Sequence, residues 1–406
     1  MQDDLKIISV DDHVLEPRNL WQDRMPAKYK DRAPRVERRY GYISLEPKKQ
    51  GFIEGEGPGA RDCDVWLYDD LVHPSTAGYS ALRLTTPDLS PIAPITYDEM
   101  LPGCYEQGAR IKDMELNNVS TSLCFPTFTR FCGQTFAERE DKELALLCLQ
   151  AYNDWMIDEW CAGEGYGKFI PLTLVPLWDP ELAAAEVRRC AAKGSGAIAF
   201  SEQPAALGLP SIYSGAWDPM FQACEETGTV VNMHIGSASK LPTTSPDAPV
   251  SLWLTLTAQN AMGAFADYLL SGVLERYKTM KIALSEGQVG WVPYILERID
   301  SIWERADLIE PDLRVRVPNR PSSYLPGRVY GCVVDDVHGM RNRDIMGMSQ
   351  IMFEVDYPHA DSTFPSSLPT AQKLIEVAGL SDHEAWQLVR GNAIECYNLQ
   401  RFGIEK

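Results

Sequence analysis

Basic residues are scarce in this chain: 38 Lys and Arg stand against 57 Asp and Glu over 406 residues, a formal charge of −19. That balance excludes a basic face for nucleic acid or anionic membrane as the main partner surface. Long apolar runs are missing too, and none approaches the roughly 20 residues needed to span a bilayer. The opening Met1-Gln2-Asp3-Asp4 is acidic and leads straight into a strand-like run, which does not read as a signal peptide, so a cytoplasmic protein is expected. The 10 cysteines include no CxxC pair, which argues against a zinc ribbon or a thioredoxin-type site. A GxGxxG fingerprint after the first strand is also lacking, so a dinucleotide site has no support.

What is present is a series of short apolar runs separated by helical patterns. Ile7-Ile8-Ser9-Val10, Val119 to Phe125, Phe169 to Val175 and Ala197-Ile198-Ala199-Phe200 make the first half. Val230-Val231-Asn232-Met233, Lys281-Ile282-Ala283-Leu284, Tyr330 to Val334 and Ile351 to Val355 make the second. They are continuous rather than alternating, as strands of a parallel sheet covered on both faces are. Helical spacing runs over 138–160, a helix opens at Asp179-Pro180, and another runs from Asp218-Pro219 to Thr227-Gly228. Eight strands with helices between them predict an α/β fold, a (β/α)8 TIM barrel, as one domain over 1–406. A long irregular insertion is expected after strand 1, at roughly 17–110, least structured from Gly51 to Gly59, and a second Pro- and Arg-rich one before strand 7, at roughly 305–346.

Chemistry-bearing residues stand at the ends of these strands. Asp11 and His13 are two apart and project to one side of the first strand. His234 ends the fifth and Asp356 the eighth, so the four make a mixed N/O shell suited to Zn, Mn or Fe. Glu286, after the sixth strand, is a candidate base, acid or bridging ligand between two ions. Glu16 is a candidate to ligate or to orient a histidine. His359 is expected either to reach the site or to be an ordinary loop histidine. Glu202 reads as a surface charge or a loop-ordering group, and His73, His338 and His383 as structural or exposed. Phe128, Phe131, Trp66 and Trp217 on mouth loops could give an organic substrate an apolar wall. Arg130 and Arg61 could meet a substrate carboxylate.

Asp11-Asp12-His13-Val14-Leu15-Glu16-Pro17 resembles the opening of amidohydrolase-related proteins, the group called amidohydrolase 2. Asp356-Tyr357-Pro358-His359 with Phe364-Pro365 is similar to the group's eighth-strand signature. Ser201-Glu202-Gln203-Pro204, Trp217-Asp218-Pro219, His234-Ile235-Gly236-Ser237, Ser285-Glu286-Gly287 and Gly391-Asn392-Ala393 fit one bacterial branch of it. The resemblance implies a metal held by Asp11, His13, His234 and Asp356. It implies metal-dependent hydrolysis or nonoxidative decarboxylation of a small, aromatic or unsaturated acid or amide, with Asp356, Glu286 and His359 as acid/base groups. Two departures stand out: the usual His-x-His opening is Asp11-Asp12-His13, and the usual histidine after the sixth strand is replaced by Ser285-Glu286.

Some members similar to this branch are nonheme dimetal oxygenases. A dinuclear Fe or Fe/Mn oxygenase, with Glu286, Glu16 and His359 toward a second ion, is therefore the alternative expectation. A catalytically silent partner subunit is the third. A homodimer, or pairing with a related subunit, is expected from the two insertions, with a small molecule as substrate.

Overall fold

The computed structural model describes residues 5–46 and 50–404, with the side chain of Arg83 left aside, so the acidic Met1–Asp4 start lies outside the described residues. Strand β1, Ile7–Val14, is buried along its whole length. It pairs in parallel with β6, Val119–Pro126. Next comes β7, formed by Phe169–Ile170 and Leu172–Leu174 on either side of Pro171, which has no N–H to give to a ladder. Then follow β8 (Ala197–Ala199), β9 (Val230–His234), β10 (Ile282–Ser285), β11 (Val329–Val333) and β12 (Ile351–Phe353), each parallel to the one before.

The ring closes where its last strand returns to its first. Asp356 N–H donates to Asp11 O at 2.8 Å and His13 N–H to Tyr357 O at 2.6 Å, while Val355 N–H donates to Ser9 Oγ at 3.0 Å. All eight expected strands are therefore present, in chain order, and each is followed by a helix, as a parallel barrel requires. The helix Pro180–Ala192 starts as predicted, with the Asp179 carboxylate accepting from Glu181 and Leu182 N–H. The 138–160 pattern resolves into an α-helix, Lys142–Trp155, that ends in a π turn, Met156–Trp160. Among the described residues, no helix is long and apolar enough to cross a membrane.

Two expectations are corrected. The 17–110 stretch is not mainly irregular, because it holds an antiparallel sheet of β2 (Arg35–Ser44), β3 (Gly51–Glu54), β4 (Arg61–Tyr68) and β5 (Leu71–Pro74) in the order β3-β2-β4-β5. β2 and β3 are largely half-exposed and carry no apolar run to announce them, while β4 has a short one in Val65-Trp66-Leu67-Tyr68. The 305–346 stretch contains barrel strand β11. The extra chain lies before it and forms short helical turns at Ala306–Ile309 and Leu313–Arg316.

Candidate metal centre

The C-terminal ends of β1, β9, β10 and β12 bring their polar side chains to one point. His13 Nε2 lies 3.1 Å from His234 Nε2 and 3.2 Å from Asp356 Oδ1. Asp11 reaches both rings, with Oδ1 3.7 Å from His13 Nε2 and Oδ2 3.4 Å from His234 Nε2. Glu286 Oε2 is 3.5 Å from His234 Nε2. His359 Nδ1 sits 2.9 Å from Asp356 Oδ1, and its ring stacks on His13 at 3.8 Å. Candidate ligand atoms of Asp11, His13 and His234 lie within 4.8 Å of one another, as do those of His13, Asp356 and His359. Of the sequence-derived candidates, Asp11, His13, His234, Asp356, Glu286 and His359 are thus brought together.

The electrostatics fit a missing positive charge. His234 Nδ1 is 2.6 Å from Ile235 O. A neutral imidazole uses its N–H there, which leaves Nε2 as a bare lone pair aimed at the cluster. Burial and the charge on His359 bring His13 down to about 4. Burial and the nearby His13 hold His234 well below the ordinary imidazole value. Two unprotonated nitrogens facing at 3.1 Å repel unless a cation sits between or beside them. Burial, then the carboxylates of Glu354, Glu286 and Asp356, push Asp11 well up. Both Asp11 oxygens are buried with no hydrogen-bond partner among the described residues. Buried carboxylate oxygens without donors, surrounded by imidazole lone pairs, are the donor set of a divalent transition metal.

Sequence reading missed three members of this neighbourhood. Glu354 is fully buried, and its Oε2 accepts from Glu286 N–H at 3.0 Å. Burial raises its carboxyl to about 8. The signal was available, because Glu354 and Asp356 have the same two-residue spacing as Asp11 and His13. Arg110, also buried, donates from Nη2 to His13 O at 2.6 Å and from Nε to Gly103 O at 2.6 Å. Asp12, on the opposite side of β1 from Asp11, accepts from Tyr357 N–H at 3.0 Å and from the hydroxyls of Ser9 and Ser122.

Other candidates go elsewhere. Glu16 holds the loop after β6, its carboxylate accepting from Phe128 N–H at 2.9 Å and Thr129 N–H at 3.3 Å. It follows Asp12 and Val14 on the alternate face, which accounts for its absence from the cluster. Glu202 is not a surface charge. It is buried, and its Oε1 accepts from Gly236 N–H, Ala238 N–H and Asn260 Nδ2, tying down the loop after His234. Trp217 is core, not a substrate wall: it packs against Phe200 and donates Nε1–H to Pro210 O at 2.7 Å. Arg130 is engaged with Glu138 and the Ser239 hydroxyl, and Arg61 with Glu99. His338 and His383 are exposed.

Three aromatic rings flank the cluster, among them Phe125 at 5.0 Å from the His234 ring. Phe131 stacks on His234 at 4.3 Å and 17°, and Tyr79 packs on His359 at 4.9 Å. Phe128 instead stacks on Trp66 at 4.7 Å. With His73 and Tyr79 these two line a cavity with room for about one water-sized group.

Comparison with known proteins agrees with this architecture. A family model described as amidohydrolase matches residues 62–399, beginning after the strand that carries Asp11 and His13. Among solved structures, an amidohydrolase from Mycobacterium avium subsp. paratuberculosis K-10 is 20% identical, with a TM-score of 0.70 over 97% of this chain and 99% of that one. A 2,6-dihydroxybenzoate decarboxylase from Rhizobium is 16% identical, with a TM-score of 0.58 over 97% and 99%. A 5-carboxyvanillate decarboxylase from Novosphingobium aromaticivorans DSM 12444, complexed with manganese and a nitrobenzoic acid, is 19% identical, with a TM-score of 0.56 over 73% and 82%. At these identities the likeness is one of fold. The family match covers most of the sequence, running from β4 of the antiparallel sheet through the barrel strands β6 to β12, and the chain belongs to the amidohydrolase family.

Proposed function

We propose that the chain is a metal-dependent carboxy-lyase that removes CO2 from a small, planar organic acid. The observation that carries this reading is the buried meeting of Asp11, His13, His234 and Asp356, with both Asp11 oxygens lacking a donor among the described residues. These four residues would hold a divalent ion, and Glu286, 3.5 Å from His234 Nε2, stands beside them. Such an ion supplies a Lewis acid that anchors and polarises the substrate carboxylate.

The chain's own groups account for the rest of the reaction. Burial lowers His359, but the charge and hydrogen bond of Asp356 outweigh it and leave the imidazole raised. It is thus suited to carry a proton at neutral pH, next to the anchored acid. As the bond to the carboxyl carbon breaks, the electron pair stays on the substrate carbon and takes the His359 proton. Phe131 beside His234 and Tyr79 beside His359 would offer aromatic surface to a flat substrate ring. Two named decarboxylases share this fold and support the lyase reading, beside an amidohydrolase matched over the same share of the chain as the Rhizobium enzyme.

The test is a CO2-release assay on Mn2+-loaded protein with a panel of hydroxylated benzoic acids, beside an amide-hydrolysis panel and an oxygen electrode. Metal-dependent CO2 release without oxygen uptake is expected. Oxygen uptake coupled to substrate loss, or amide cleavage without CO2, would overturn it.

A further inference from the structure

Glu354 is an unusual residue for its place. It follows β12 between Phe353 and Val355, in the most buried part of the barrel, where an apolar side chain is the ordinary occupant. A carboxylate there is costly unless its oxygens are used. One is: Oε2 accepts the Glu286 backbone N–H at 3.0 Å, bridging from the eighth strand's end to the sixth's. Oε1 has no hydrogen-bond partner among the described residues.

Glu286 needs such a hold. Its φ is +54°, a left-handed conformation that a residue with a Cβ adopts only when its surroundings impose it. The flanking residues are anchored separately. Ser285 O accepts from Ile235 N–H at 3.3 Å, and Gly287 O accepts from Trp291 Nε1 at 2.7 Å. The peptide joining Ser285 to Glu286 is thus held at both ends, its carbonyl by Ile235 N–H and its N–H by the Glu354 side chain, and this geometry carries the Glu286 carboxylate to 3.5 Å from His234 Nε2. Glu354 is in turn set by its own backbone, whose N–H donates to Val333 O at 3.1 Å.

We propose that Glu354 is a positioning residue: as a buried acceptor it locks Glu286 in the left-handed turn and so presents the Glu286 carboxylate to the metal cluster. This rests on the metal reading of the site.

The test compares Glu354→Leu, which removes the acceptor, with Glu354→Gln, which loses the charge but keeps an acceptor oxygen at the same reach. Two quantities are read: hydrogen exchange of the peptide spanning 285–289 in metal-free protein, and Mn2+ affinity by calorimetry. Glu354→Leu should lose protection at Glu286 and bind Mn2+ about 10- to 100-fold more weakly, the usual size of a defect in a group that orients a ligand. Glu354→Gln should keep protection and stay within about threefold of wild type in affinity. Should the leucine variant not fold, Glu354→Asp, whose oxygen falls one methylene short, is expected to lose the protection in the same way. Unchanged exchange in the leucine or aspartate variant overturns the proposal, and so does equal loss of affinity in Gln and Leu. Wild-type protein that fails to bind Mn2+ would instead sink the functional reading, while the exchange measurement still decides the role of Glu354.

Discussion

His13 and His234 come from the first and fifth barrel strands, yet their Nε2 atoms face each other at 3.1 Å with Asp11 within reach of both. A proton shared between the rings would satisfy one pair of atoms. A divalent cation would satisfy two imidazoles and the donorless carboxylate together.

Removing one of these ligands should therefore separate metal binding from folding. His234→Ala and Asp356→Ala are expected to lose Mn2+ retention at least 100-fold while keeping the circular dichroism of the wild type. Asp11→Asn should do the same and leave the metal-free protein more stable, by roughly 1–3 kcal/mol, because a buried charge without donors is removed. Elemental analysis and urea unfolding in chelator check both halves. Full metal content in any of the three would remove that residue from the centre.

Stability should fall with rising pH through Glu202. Burial raises its carboxyl from 4.5 to about 7 in the folded state, although three donors point at it. A group whose folded value is raised contributes stability that is complete below about 4.5 and is lost as pH climbs through about 7. The span corresponds to about 3 kcal/mol. Glu202→Gln keeps an acceptor for Gly236, Ala238 and Asn260 and cannot ionise. The difference in urea midpoint between wild type and variant should therefore move in the variant's favour from pH 5 to pH 8. A pH-independent difference would show that Glu202 is not buried as the structure has it.

Arg110 is expected to be the costliest single cation to remove. It donates to the carbonyls of His13 and Gly103 and lies over the Tyr357 ring at 4.3 Å. Arg110→Met should lower unfolding free energy by about 3 kcal/mol or more, since buried acceptors and the nearby Asp12 lose their donor cation. It should also weaken Mn2+ binding, because the His13 backbone is no longer held. Chemical unfolding and calorimetry on one preparation read both.

Phe131 and Tyr79 should affect substrate more than chemistry. Phe131→Ala is expected to raise KM about two- to tenfold with kcat nearly unchanged, matching the roughly 0.5–1.5 kcal/mol of an aromatic contact. A fall in kcat with constant KM would place the ring in the reaction rather than at the wall.

The barrel was legible because its strands are apolar runs, and the ends of those runs named most of the cluster. The sheet of β2–β5 was not, because Arg35-Val36-Glu37-Arg38-Arg39-Tyr40 reads as charged surface, and its pairing with β4 is a long-range fact. Glu354 was passed over inside what reads as strand, although its spacing to Asp356 repeats that of Asp11 and His13. Glu16 and Trp217 resembled site residues by position, but the first turned to the backbone of the β6 loop and the second into the core. Sequence gives the face a side chain leaves from, whereas the partner it meets is decided by packing.

The seam between β1 and β12 has a consequence for how the molecule comes into being. Asp11 and His13 are made long before Asp356 and Tyr357, whose backbone hydrogen-bonds to theirs. Until then β1 offers an edge whose backbone groups lack their partners on that side, and Asp11 and His13 stand without Asp356. A chain that stops before the eighth strand therefore keeps that edge unpaired and leaves the group of Asp11, His13, His234 and Asp356 incomplete.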